Sequence, residues 1–127
     1  MEWKPNFKRS KSPRKQRNYL ELAPLHVKSK MLKSHLSKDL QKKHNTRSAR
    51  VKKGDKVKIM RGMYKGKIGL VDLVNVKKQR VYVQGAETIK KDGSKSFHPI
   101  HPSNLLIQEL KSGDKKRFKE KKWQKHT

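Results

Sequence analysis

The chain has 127 residues, 36 of them Lys or Arg against 10 Asp or Glu, giving a formal net charge of +26. At roughly 100 to 200 residues per domain this length allows one compact domain with tails, or two very small ones, and rules out two full enzyme domains. The absence of cysteine excludes a disulfide framework, a thiolate zinc site and a cysteine nucleophile, and no window reaches the ~18 consecutive apolar residues of a membrane span.

Residues 1–50 carry 15 basic and 3 acidic residues, and only 14 of the 50 are apolar. Positions 1–18, with seven basic residues and two prolines, predict an extended segment, the core of a basic arm taken as 1–22. The opening stretch lacks the apolar region of a signal peptide, so a soluble intracellular protein is expected, without membrane insertion. Ser10 to Arg14, SKSPR, offers a phosphate acceptor but reads better as linker. From 23 to 50 the spacing changes. Pro24 suits a helix N1 position, with Val27, Met31 and Leu32 at helical offsets, and Ser37 suits the cap of a second short helix carrying Asp39 and Leu40.

Residues 51–110 hold 23 apolar residues in 60, enough for a small core. Val57 and Ile59 alternate with lysines, Ile68 to Val74 forms an apolar run, and Val81 and Val83 bracket Tyr82; these predict strands. Asp92-Gly93 predicts a type I′ turn joining Ile89 to Phe97. Leu105 to Ile107 follows a Pro-rich corner at His98–Pro102. Short strands with tight glycine turns favour a mainly β fold, a small SH3-like barrel whose closure removes exposed edges. Gly54, Gly62, Gly66, Gly69 and Gly93 are its expected turn glycines. Residues 111–127, with 8 basic and 2 acidic residues, predict a basic tail that orders on binding.

The charge is the strongest functional signal. A net +26 on one small chain self-repels unless it meets a polyanion, and neither arm couples its charge to the long apolar face that a membrane surface requires. Nucleic acid is the expected partner, with no small-molecule substrate and no cofactor. In Arg61–Gly69 the glycines allow close backbone approach, Arg61, Lys65 and Lys67 supply charge, and Tyr64 is placed to stack on a base or ribose; the same glycines also serve as barrel corners. The spacing is not that of a Walker A loop. The six histidines form no metal-ligand pattern and the ten carboxylates are scattered, so neither a metal site nor an acid–base pair is expected.

Lys53-Gly54-Asp55-Lys56-Val57-Lys58-Ile59 with Gly62, Tyr64-Lys65-Gly66 and Gly69-Leu70-Val71 resembles a KOW motif, found in SH3-like barrels of ribosomal proteins and transcription elongation factors. The flanks decide between them. Pro13–Arg17, Ala23–His26, His35–Leu40, Arg47-Ser48 and His101–Leu105 together resemble the archaeal and eukaryotic form of the KOW-bearing large-subunit ribosomal protein family, the twenty-fourth in universal numbering. The resemblance implies a non-enzymatic constituent of cytoplasmic ribosomes, passing through the nucleus and nucleolus if eukaryotic. It would bind the 5′ domain of large-subunit rRNA, act early in assembly, and lie near the polypeptide exit beside neighbouring ribosomal proteins. Carried onto matching positions, the contacts implied are Arg14, Lys15, Arg17, His26, Lys28, Lys30, Lys38, Arg47, Lys53, Arg61, Lys65, His101 and Ser103. Arg50 stands where the family usually has Pro, which implies a less rigid entry into the first strand and one more possible phosphate contact. The alternative classes are a KOW-type transcription elongation module, which would be expected beside a polymerase-binding domain, and a small RNA-acting enzyme, for which no acid–base pair is visible.

Overall fold

The computed structural model describes residues 2–111, so the expected C-terminal tail lies outside the described residues except for Lys111. The alternation Lys56-Val57-Lys58-Ile59 produces strand β3 (Lys56–Ile59), which turns its two apolar side chains inward, where they are fully buried. The same rule makes β4 (Ile68–Asn75), β5 (Arg80–Val83) and β8 (Leu105–Glu109). Two strands lie N-terminal to these, β1 (Lys33–Leu36) and β2 (Ser48–Arg50). All six form one sheet in the order β2-β1-β8-β3-β4-β5, with β1 parallel to β8 and the other neighbours antiparallel. The hairpin of β6 (Glu87–Ile89) and β7 (Lys95–Phe97) stands apart.

This is the expected mainly β, small SH3-like fold. Leu36, Val51, Val57, Ile59, Val71, Val81, Val83, Leu105 and Ile107 meet in one core, each contributing roughly 1.5 to 3 kcal/mol on burial. The outer edge of β5 is covered by the Pro-rich corner, where Val81 and Ile100 exchange backbone hydrogen bonds of 2.8 and 3.0 Å. That bridge protects backbone groups which an open edge would expose.

The N-terminal half differs from its sequence-based expectation. In place of an extended arm, a 3₁₀ turn at Pro5–Arg9 leads into helix α1 (Pro13–Leu22). Pro13 occupies the first helical turn, where its missing N–H costs nothing. Gln16 ties the two together, its Nε2 donating to the carbonyls of Phe7, Lys8 and Ser10 at 2.7 to 3.1 Å. Trp3 packs its ring 5.5 Å from that of Tyr19, and the Lys4 and Lys15 ammonium groups lie over the Phe7 ring.

Helices α2 (Leu25–Met31) and α3 (Lys38–His44) are the expected pair. Pro24 sits one position earlier than predicted, as the N-cap whose carbonyl accepts from the amides of Val27 and Lys28. Ser37 is the N-cap residue of α3 but makes no side-chain cap bond, and its amide donates instead to the Ile107 carbonyl in β8. Asn45, in the left-handed conformation, ends α3.

Two turn assignments are corrected. Of Asp92 and Gly93, only Gly93 has a positive φ, so the hairpin turn is not type I′. Asp92 Oδ1 accepts from the amide and hydroxyl of Ser94 at 2.9 and 2.7 Å, and this local bonding competes with the left-handed conformation that type I′ requires. The Gly93 amide donates to Lys90, giving a wider loop with one left-handed glycine. Gly69 is not a turn residue either. It lies in β4 with ordinary φ and is needed for close backbone approach, whereas Gly54, Gly62, Gly66 and Gly93 are left-handed.

Candidate nucleic-acid interface

The β4–β5 turn is built by Asn75 and Gln79. Asn75 Oδ1 accepts from the Lys78 amide at 3.1 Å, and the Gln79 amide donates to Val76. Gln79 has φ +57, an uncommon conformation for a non-glycine residue. It is held there by its own side chain, which donates to the carbonyls of Val76 and of Lys28 in α2, the latter at 2.7 Å. In return the Lys28 ammonium donates to the Lys77 carbonyl at 3.2 Å. These reciprocal bonds clasp α2 to the turn and leave Lys28 only 8% exposed.

Above the clasp opens a groove of about 700 Å³. It is lined by Arg17 from α1, Lys77 and Lys78 from the turn and Arg80 at the start of β5, with Leu20 and Met31 as apolar wall, Glu21 as one carboxylate, and His101. His101 also borders a smaller cavity of about 80 Å³ beneath the glycine-rich loop, shared with Arg61 and Tyr64. Arg61 and Lys65 are exposed on that loop. Arg17 of α1 and Lys77, Lys78 and Arg80 therefore line one groove, and His101 is shared between it and the cavity that Arg61 lines, an arrangement suited to neutralising closely spaced phosphates.

Of the sequence-predicted residues, Arg17, Lys28 and His101 line the groove, and Arg61, Tyr64 and His101 line the smaller cavity. Arg14 and Lys15 line a separate cavity of about 250 Å³ beside Phe7. His26, Lys30, Lys38, Arg47, Arg50, Lys53, Lys65 and Ser103 are exposed at other positions. Tyr64 is not presented for stacking. It packs against the core, its hydroxyl donates to the Glu87 carbonyl at 2.9 Å, its ring lies 5.3 Å from that of His98, and the Lys67 ammonium sits over it at 4.9 Å. Lys67 also donates to the Gly85 carbonyl.

Sequence reasoning missed Lys77, Lys78 and Arg80, because 75–79 reads as a polar turn between strands. Three cations within four positions was the available signal. Asp55, one of the scattered carboxylates, is completely buried, with Oδ2 accepting from the Lys52 amide and Oδ1 from the Lys111 amide at 3.0 and 2.9 Å.

His101 is the N-cap of a 3₁₀ turn at Pro102–Asn104, with Nδ1 accepting from the Ser103 amide. Burial first, and then the nearby Arg80 charge, lower its pKa from the ordinary 6.5. A lowered native value means that the neutral cap stabilises the fold fully above pH 6.5, and that this contribution declines as pH falls from there through the native pKa. His101→Asn, which keeps a capping acceptor but does not titrate, is expected to flatten the stability–pH curve in that window. Chemical denaturation at stepped pH checks it, and a curve as steep as that of the wild type would refute the assignment.

Among the described residues no group of three or more His, Asp or Glu could hold a metal ion, and no helix is long and apolar enough to cross a membrane. A small barrel with a cationic groove between helices and a β-turn defines a basic SH3-like protein of the nucleic-acid-binding type. The family model described as ribosomal proteins L26 of eukaryotes and L24P of archaea matches residues 10–122. The large ribosomal subunit protein uL24 of Methanosphaera stadtmanae is 49% identical over 108 residues, covering 85% of this chain and 92% of that protein. The chain belongs to this ribosomal protein family.

Proposed function

We propose that the protein is an rRNA-binding structural constituent of the large ribosomal subunit, that it binds the 5′ domain of large-subunit rRNA early in assembly, and that it lies near the polypeptide exit. It works without a catalytic step, in cytoplasmic ribosomes, with nuclear and nucleolar transit if the source is eukaryotic, and against neighbouring ribosomal proteins. The observation that carries this reading is the convergence of Arg17, Lys77, Lys78 and Arg80 around one groove, with His101 shared between it and the cavity lined by Arg61. Arg14, Lys15, Lys30, Lys38, Arg47, Arg50, Lys53 and Lys65 extend the cationic surface, and His26 and Ser103 add polar contacts. Lys28, Tyr64 and Lys67 act by holding that surface in shape. Most contacts go to phosphate and ribose, so RNA shape sets the specificity.

The test is binding of the full chain to large-subunit rRNA at stepped salt, with crosslink mapping. For about six to ten neutralised phosphates, affinity falls roughly 10³ to 10⁵-fold between about 50 and 200 mM salt. Crosslinks are expected in the 5′ domain; crosslinks confined to other RNA, or migration with polymerase instead of ribosomal particles, would overturn the reading. Lys28→Met is expected to weaken binding without changing the salt slope, since that ammonium bonds within the protein. A slope reduced by about one charge equivalent would instead make Lys28 a direct phosphate contact.

A further inference from the structure

Phosphate neutralisation explains the rim of the groove and leaves its wall unexplained. Leu20 is 55% exposed, on a helix with no buried residue, and it faces the groove together with Met31. Core packing gives no reason for that leucine. The volume, about 700 Å³, is far more than a phosphate group needs and falls in the range of sites for small organic ligands. An apolar peptide would bring its apolar surface against a ring of cations without supplying counter-charge. A double-stranded helix would satisfy the cations but has no base face free to cover Leu20 and Met31.

One ligand has both an apolar face and adjoining anions. We infer that the groove receives a single unpaired nucleotide extruded from the RNA, its base lying against Leu20 and Met31 and its flanking phosphates on Arg17, Lys77, Lys78 and Arg80. Glu21 in the same lining supplies an acceptor for an exocyclic amino group, the pairing by which carboxylates read bases. The inference rests on the proposed RNA-binding function and adds to it a recognition pocket for an unstacked base.

The experiment uses the full chain and two RNA hairpins of equal length and charge, one with a single bulged aminopurine, a fluorescent adenine analogue, and one with aminopurine paired in the stem. The bulged hairpin is expected to bind about tenfold tighter, the scale of covering part of one apolar base face, and to change fluorescence on binding while the paired one does not. Leu20→Ser is expected to abolish that preference and the fluorescence change while leaving the salt slope unchanged, and Leu20→Met to restore both. Circular dichroism verifies that α1 persists in each variant. Replacing Lys77, Lys78 and Arg80 together by Ala is expected to lower the salt slope for both hairpins. Equal affinity for the two hairpins with a steep salt slope, or an unchanged slope in the triple variant, would overturn the pocket and leave RNA binding standing. Failure to bind either hairpin and large-subunit rRNA would overturn the underlying function.

Discussion

Replacing Gly69 by alanine is expected to destabilise the barrel by about 3 kcal/mol, at the upper end of overpacking costs. A Cβ there runs into the Gln84 carbonyl oxygen and lies 3.1 Å from Val83 Cγ1. The obstacle is backbone, and it cannot withdraw, because the Gln84 amide donates to Leu70 at 2.9 Å and locks β5 beside β4. On the other side Gly69 is in register with Val57 of the fully buried β3 core. Separating β4 from β5 would also displace the turn that carries Lys77 and Lys78 and the strand start that carries Arg80. Gly66 makes the control: it is left-handed but has open space around it, so alanine there costs only about 1 kcal/mol of backbone strain. Urea denaturation of the two variants should separate them clearly, and equal losses would refute the close-approach account.

Asp55→Ala is expected to cost a further order of the same size, about 3 kcal/mol. The substitution leaves the Lys52 and Lys111 amides without their carboxylate, at ~1 to 3 kcal/mol for each unmet donor. Through this one side chain the amide three residues before Asp55 is tied to one that lies 56 residues after it. Asp55→Asn should be nearly as damaging, because its amide nitrogen would face a donor. With small domains holding about 5 to 15 kcal/mol in all, a change of 3 kcal/mol lowers the melting temperature by more than about 10 °C. Thermal melts of Asp55→Ala, Asp55→Asn and the exposed control Glu2→Ala check it; an intact melt for Asp55→Ala would make the buried carboxylate dispensable.

The barrel strands were legible wherever apolar residues alternate, as in Val57/Ile59, Val81/Val83 and Leu105/Ile107. Strand β1 was hidden because its inward positions are Ser34 and Leu36, and a serine does not read as core. Ser34 is nevertheless buried, its hydroxyl donating to the Pro102 carbonyl at 2.6 Å, so a long-range partner makes polar residue burial tolerable. Helix α1 was hidden for the opposite reason, having no apolar stripe and burying nothing; only Pro13 after a serine marked its start. The basic character of the site was legible from charge alone. Its location was not, because the clasp between Lys28 and the turn joins residues about fifty positions apart, and no local pattern encodes such a pairing.

The sheet places the last strand of the described chain at its centre. β8 lies between β1 and β3, so Leu36 and Val57 both wait for Ile107 before the middle of the sheet can form. Chain synthesis runs the other way, delivering the basic helices first and β8 at the end. A growing chain therefore displays its cationic helices well before the strand at the centre of the sheet has emerged, and the pairing of β1 with β8 is of the long-range kind that forms slowly.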